Sequence, residues 1–203
     1  GGEKLRTLCH PDGTRKVTGG TNAAGVTTAL AVSSGMTFKD GTKEASVTLE
    51  MGHIFAKKLL QAGYDVLLIR DGEDVQLDNV ARTVLANNKA DAHIALHWDA
   101  TEKDKGAFFM SVPDSLKRME PVASHWESHE KLGESLISGL KGKGVKIFSK
   151  GSMDMDLTQT SYSTVPSVDI ELGDKVSDHS EKQLNLLGDA LVDGVNKYYG
   201  FAS

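Results

Sequence analysis

Apolar side chains recur at helical spacing after Glu44, at Val47, Met51, Ile54, Phe55, Leu59 and Ala62, and Gly63 follows where a helix commonly stops. The spacing predicts an amphipathic helix over 43–62. Val66-Leu67-Leu68-Ile69 is a short unbroken apolar run, which predicts a buried strand. The polar stretch from Arg70 to Gln76 then separates it from a second helical pattern at Leu77, Val80, Val84 and Leu85. Ile94-Ala95-Leu96 predicts a buried strand ending at His97, and Ala107 to Val112 another beyond the charged loop Thr101 to Gly106.

Leu132, Leu136 and Leu140 set a helix over 127–140, and Leu184, Leu187, Leu191 and Val195 set another over 181–198. Between them Ser167 to Leu172 reads as a strand ending in Gly173, while polar Met153 to Thr164 reads as a surface loop near the site. Strands alternating with helices predict an α/β fold: a single domain over 1–203 with a mostly parallel twisted sheet and helices on both faces. The length of 203 residues suits one core.

Composition narrows the function classes. Lysine and arginine (23) against aspartate and glutamate (28) leave a charge of −5, without a basic run dense enough to track phosphates, so nucleic acid is not an expected partner. No stretch approaches the about 18 apolar residues of a membrane-spanning helix, and no membrane insertion is expected. The one cysteine, Cys9, has no partner for an internal disulfide and leaves the compartment open. Glycines between Gly13 and Gly41 predict a long loop-rich segment, and the oligomeric state is not legible.

Chemistry concentrates at strand ends, where open α/β sheets bind ligands. His97 ends an apolar strand, as either a zinc-ligating imidazole or an ordinary hydrogen-bonded histidine. Alternation puts Glu171 on the strand face of Asp169, where desolvation would suit it to proton transfer near neutral pH; an ion pair with Lys175 is the bland alternative. Glu44 opens the first helix, as a dipole-complementing carboxylate or, if it lies near His97, as an oxygen ligand. Trp98, Trp126 and Tyr162 suit either sugar stacking or packing.

Three blocks then carry a resemblance. Lys16 to Thr21 leads to Glu44 and to Leu60, Gly63, Val66 and Arg70; Arg82, Ala86-Asn87 and Ala90-Asp91 lead to Ile94-Ala95-Leu96-His97; Val165 to Gly173 closes the pattern. Together they resemble the zinc-dependent N-acetylmuramoyl-L-alanine amidases of the amidase-3 family over roughly residues 16–200. The resemblance implies a zinc ion held by an early histidine, Glu44 and His97, with water in the open position and Glu171 as the catalytic base. It implies cleavage of the amide joining N-acetylmuramic acid to L-alanine in peptidoglycan, and a secreted or cell-wall-associated protein whose signal peptide has been removed.

The chain departs from the family pattern in places. Where members carry a glycine-histidine-glycine turn it has Cys9-His10-Pro11-Asp12-Gly13, so the first ligand falls to His10 and Cys9 reads as a buried apolar residue. Trp98-Asp99 after His97 and Asp174 after Leu172-Gly173 are further departures. The missing glycine-histidine-glycine turn and Trp98-Asp99 keep open a catalytically silent peptidoglycan-binding member, and because the same metal-water-glutamate machinery serves other amides, a zinc peptidase or deacetylase also stays open. His53, His93, His125, His129 and His179 match no ligand position, and the spaced pair His125 and His129 reads as a solvated helix start.

Overall fold

The computed structural model describes the chain except residues 1–4, 8–9, 18–23, 26–27, 31–32, 34, 73–74, 76 and 202–203. Four strands form the main sheet: β3 (His93–Asp99), β4 (Ala107–Ser111), β5 (Ile147–Asp154) and β6 (Ser167–Asp174). Two short strands before them, β1 (Leu5–Thr7) and β2 (Thr28–Leu30), pair antiparallel in a sheet of their own. The helices are α1 (Glu44–Gln61), α2 (Asn79–Lys89), α3 (Val122–Gly142), α4 (Thr158–Tyr162) and α5 (Glu181–Tyr199).

The order β3-β6-β4-β5 joins two parallel pairs, β3 with β6 and β4 with β5, through one antiparallel pairing of β6 with β4. The domain is therefore α/β with a mostly parallel sheet flanked by helices. Alternation divides each central strand into two faces. Val168, Ile170 and Leu172 of β6, Ala107 and Phe109 of β4 and Trp98 of β3 join one core with Val47, Met51 and Phe55 of α1, Leu132, Leu136 and Leu140 of α3, and Leu184, Leu187 and Leu191 of α5. Ala95, His97, Asp169 and Glu171 alternate with these core positions and project from the opposite face.

Helices α3 and α5 cross at contact distance because both are glycine there. A Cβ on Gly139 would lie 2.1 Å from the Ala190 carbonyl oxygen, and one on Gly194 would lie 2.7 Å from Leu136 Cα. This approach lets the two helices pack closely and bury leucines from each.

Helix ends follow their chemistry. The Asp78 side chain accepts from Ala81 N–H and starts α2 two residues beyond Leu77, and the Ser180 side chain accepts from Gln183 N–H and starts α5. Helix α3 begins five residues before the predicted 127, at Val122, whose fully buried side chain packs with Val112 and Leu116.

Two expectations are corrected. Val66 to Ile69 forms no strand and Leu67 is 48% exposed; an apolar run becomes a strand only with a partner for its backbone, and none pairs with it among the described residues. Met153 to Thr164 is not a surface loop: it holds the end of β5 and all of α4, and Asp156, Gln159, Thr160, Ser161 and Ser163 are buried. Much of its polarity is met by neighbouring elements, for Gln159 Nε2 donates to Ser167 Oγ and the Val168 carbonyl, and Ser163 Oγ to the Gln159 carbonyl.

Candidate active site

Parallel pairing of β3 with β6 sets His97 directly beside Glu171, and Ala95 beside Asp169. The first turn of α1 brings Glu44 to the same place. Glu44 is buried, and its Oε2 accepts from Met36 N–H at 2.7 Å. Its Oε1 lies 3.0 Å from His97 Nδ1 and accepts from Trp98 N–H at 3.3 Å. The helix start receives no side-chain capping bond, so the carboxylate serves the strand end rather than its own helix. Gly35 makes room for it: the backbone there has φ +72°, and a Cβ would stand 2.5 Å from Glu44 Oε2.

The other ring nitrogen of His97, Nε2, faces Asp169 Oδ2 at 3.7 Å. One imidazole is thus surrounded by Glu44, Asp169 and Glu171. Burial works to lower the His97 pKa, but the three carboxylates outweigh it and push it up to about 10. For Glu44 burial works upward, and the bonds from His97 and Met36 win, holding its pKa below the usual carboxylate value. Asp169 is raised by burial and by the charge of Glu44, against the pull of His97.

Glu171 is pushed up to about 8, first by burial and then by the charge of Asp169. Its Oε2 is buried without a hydrogen-bond partner. The expected alternative partner, Lys175, instead binds Glu102 at 2.9 Å, which leaves Glu171 facing the cluster. A carboxyl that holds its proton near neutrality is fitted to take and return one there.

His10 is elsewhere. It is buried, its Nε2 lies 2.6 Å from Asp156 Oδ2, and its Nδ1 lies 2.8 Å from Thr14 Oγ1. Asp156 follows β5, which lies three strands from β3 and runs the other way, so the two C-terminal ends fall at opposite ends of the sheet. Strand spacing and rise put them on the order of 25 Å apart. The structure brings Glu44, His97 and Glu171 together and keeps His10 apart; among the described residues no three histidine, cysteine, aspartate or glutamate side chains form a ready metal cage. Cys9 lies outside the described residues.

Asp169 is the site residue whose role sequence reasoning missed, although alternation had set it on the Glu171 face. Asp174 is another: fully buried, it accepts from Lys105 N–H at 2.7 Å and ties the β3–β4 loop to the end of β6. Lys105 in turn pairs with Asp99. Trp98 packs in the core against Phe38, and Trp126 lies under the Lys117 ammonium. His129 is not solvated, for it is buried and its Nδ1 accepts from Ser167 N–H at 3.0 Å.

The fold is shared with known proteins. Among solved structures the chain is similar to the N-acetylmuramyl-L-alanine amidase of Mycobacterium smegmatis, with 18% identity, a TM-score of 0.72, and 86% of this chain and 85% of that one covered. It is similar to the N-acetylmuramoyl-L-alanine amidase AmiC2 of Nostoc punctiforme, with 21% identity, a TM-score of 0.67, and 82% and 90% covered. It is also similar to the CwlD amidase of Clostridioides difficile, solved in complex with the GerS lipoprotein, with 18% identity, a TM-score of 0.66, and 90% and 94% covered. These likenesses establish the fold. No curated protein matches the chain significantly in sequence. The family profile described as N-acetylmuramoyl-L-alanine amidase matches residues 19–193, and the chain belongs to that family of peptidoglycan amide hydrolases.

Proposed function

We propose that the chain hydrolyses the amide between N-acetylmuramic acid and L-alanine at the cluster of Glu44, His97 and Glu171, with Glu171 as general base and a zinc ion held by Glu44 and His97. The observation that carries this reading is Glu171 itself: a carboxyl with a buried unpartnered oxygen and a pKa near neutrality, beside the Glu44–His97 pair.

Glu44 and His97 would supply two ligands to the ion, and the described residues hold no third His, Cys, Asp or Glu arranged with them as a metal cage. Two ligand atoms each about 2.0–2.1 Å from a tetrahedral zinc lie roughly 3.3 Å apart, and Glu44 Oε1 and His97 Nδ1 stand 3.0 Å apart. Several carboxylates around a single imidazole also leave negative charge that a cation would balance. His10 is not part of the proposed set, because Asp156 and Thr14 occupy its ring nitrogens. Zinc there would supply a Lewis acid that polarises the scissile carbonyl and acidifies water.

The protein's own groups do the rest. Glu171 accepts the proton of the attacking water and passes it to the departing amine. The Met36 and Trp98 backbone N–H groups hold the Glu44 carboxylate in one orientation. His97 is about two-fifths exposed, so the pair is open to a large polymer. Action on peptidoglycan extends the proposal to a secreted or wall-associated location; among the described residues no helix is long and apolar enough to cross a membrane.

The test is metal analysis of protein purified without chelators, with mass analysis of digested cell-wall fragments. One zinc per chain and release of stem peptides beginning at L-alanine are expected. Protein that is active without metal, or fragments cut at another amide, would overturn the reading.

A further inference from the structure

We infer that a cleft beside the Glu44, His97 and Glu171 cluster, with Lys39 and Lys175 in its walls, receives the stem peptide next to the amide that is cut, and that these two ammonium groups bind a free carboxylate of that peptide. This role rests on the reading of the cluster as the place of cleavage and needs no metal ion there.

The cleft has a volume of about 480 Å³ and is bounded by Met36, Lys39, Ala100, Glu102, Lys175 and Val176 among others. Three segments of chain meet in it: the residues before α1, the loop after β3 and the turn after β6. Main-chain bonds knit them together, for Lys39 N–H donates to the Lys175 carbonyl at 3.1 Å and Lys175 N–H to the Thr101 carbonyl at 3.2 Å. The cleft adjoins the cluster at two points. Met36 N–H donates to Glu44 Oε2 at 2.7 Å, and Ala100 stands two residues beyond Trp98, whose N–H donates to Glu44 Oε1. An extended chain advances about 3.3–3.6 Å per residue, so a substrate cut at the cluster has its next one or two residues within reach of the cleft.

Charge selects which half of the substrate lies there. Glu44, Asp169 and Glu171 crowd the cluster with carboxyl groups, whereas the cleft carries two ammonium groups against the single carboxylate of Glu102. Lys175 Nζ pairs with Glu102 at 2.9 Å, and the charge of Lys39 adds to the lowering of the Glu102 pKa that Lys175 begins. Asp40, beside Lys39 in sequence, is turned to His179 at 3.2 Å. Among the described residues no carboxylate stands within ion-pair distance of the Lys39 ammonium. The cleft therefore has one positive charge in excess. The sugars of peptidoglycan are neutral, while its stem peptides carry free carboxylates and alanine methyl groups. The peptide is the half that complements two lysines beside the exposed side chain of Val176.

The experiment reads binding to the metal-free full chain, so that cleavage does not enter. N-acetylmuramoyl-L-alanyl-D-glutamic acid, with two free carboxyls, is titrated beside the same compound with both carboxyls amidated and beside the neutral glycan chitotetraose, with main-chain amide NMR shifts giving affinity and place. The diacid is expected to move the signals of Met36, Gly41 and Val176 and to bind about fivefold more tightly than the diamide. Lys39→Ala and Lys175→Ala should each weaken the diacid by about two- to fivefold and leave the diamide unchanged. Glu102→Gln removes the competing carboxylate and should tighten the diacid, a direction that a merely structural role for the lysines does not give. Equal affinity for diacid and diamide, no movement of the cleft signals by the diacid, or their movement by chitotetraose instead, overturns the inference. Mass analysis of cell-wall digests is the separate check on the underlying reading. Fragments cut at another amide would remove that reading, while the ratio of diacid to diamide affinity would still decide whether the cleft selects carboxylates.

Discussion

His10 Nε2 and Asp156 Oδ2 lie 2.6 Å apart with both side chains almost wholly buried, at the end of the sheet away from His97. The pair ties the start of the chain to the turn after β5, and Asp156 Oδ2 also accepts from Val17 N–H at 2.8 Å. It is a structural clasp. His10→Ala is therefore expected to lower stability by about 1–3 kcal/mol, the usual cost of leaving a buried hydrogen-bonding group without its partner, while leaving zinc affinity unchanged. Thermal unfolding beside a zinc titration checks this, and loss of zinc binding with unchanged stability would return His10 to the metal site.

Glu171→Gln keeps the size of the side chain and removes its proton chemistry. Hydrolysis should fall by about 10²–10⁴-fold with zinc still bound. The same variant has a stability signature. A carboxyl whose pKa rises from 4.5 to about 8 on folding stabilises the native state below 4.5 and loses that contribution as pH rises through 8. Glutamine does not ionise, so metal-free Glu171→Gln should melt above the parent at pH 9 and lose that advantage toward pH 5.

Two buried histidines set the acid limit of the fold. Burial lowers His93 and His129 from 6.5 to about 4, with the charge of Arg82 adding to the first and that of His125 to the second. Both stay neutral in the native state while the unfolded chain takes up protons below 6.5, so stability falls as pH drops from 6.5 toward 4. Each contributes on the order of 3 kcal/mol over that window. Denaturant unfolding at pH 7, 6 and 5 should show the decline, and His129→Gln should make it shallower.

The crossing of α3 and α5 admits no side chain at its centre. Gly139→Ala would drive a methyl group against the Ala190 carbonyl, and separation of the helices should cost about 1–3 kcal/mol or more. The neighbouring Gly142, where an added methyl carbon would meet no atom within 4 Å, is the control: Gly142→Ala should be tolerated or mildly stabilising. Calorimetry on the two variants separates packing from helix propensity.

Much of this arrangement was legible from residue order. Helix α1 begins and ends within a residue of its predicted limits, because its apolar stripe and Gly63 act locally. Strands β3 and β6 were legible from their apolar cores, and with them His97 and Glu171. Strand β5 was not: Ser149 and Lys150 are exposed along it and Gly151 has positive φ, so the edge strand carries no clean alternation. Helix α4 was hidden because its buried groups, Gln159, Thr160 and Ser161, are polar. The place of His10 was hidden for a different reason. Its neighbours in sequence say nothing about which end of a mixed sheet the segment reaches, and the antiparallel β6–β4 pairing decides that.

The β3–β6 pairing separates scaffold from reactivity. Positions 168, 170 and 172 are given to the core, while 95, 97, 169 and 171 face away from it, locked in register by main-chain hydrogen bonds that do not depend on which side chains stand there. These four positions make a tile whose spacing is inherited from the backbone. New side chains set into it would meet at the same separations as the present ones, so the strand pair can be rewritten for other hydrolytic chemistry without rebuilding the domain beneath it.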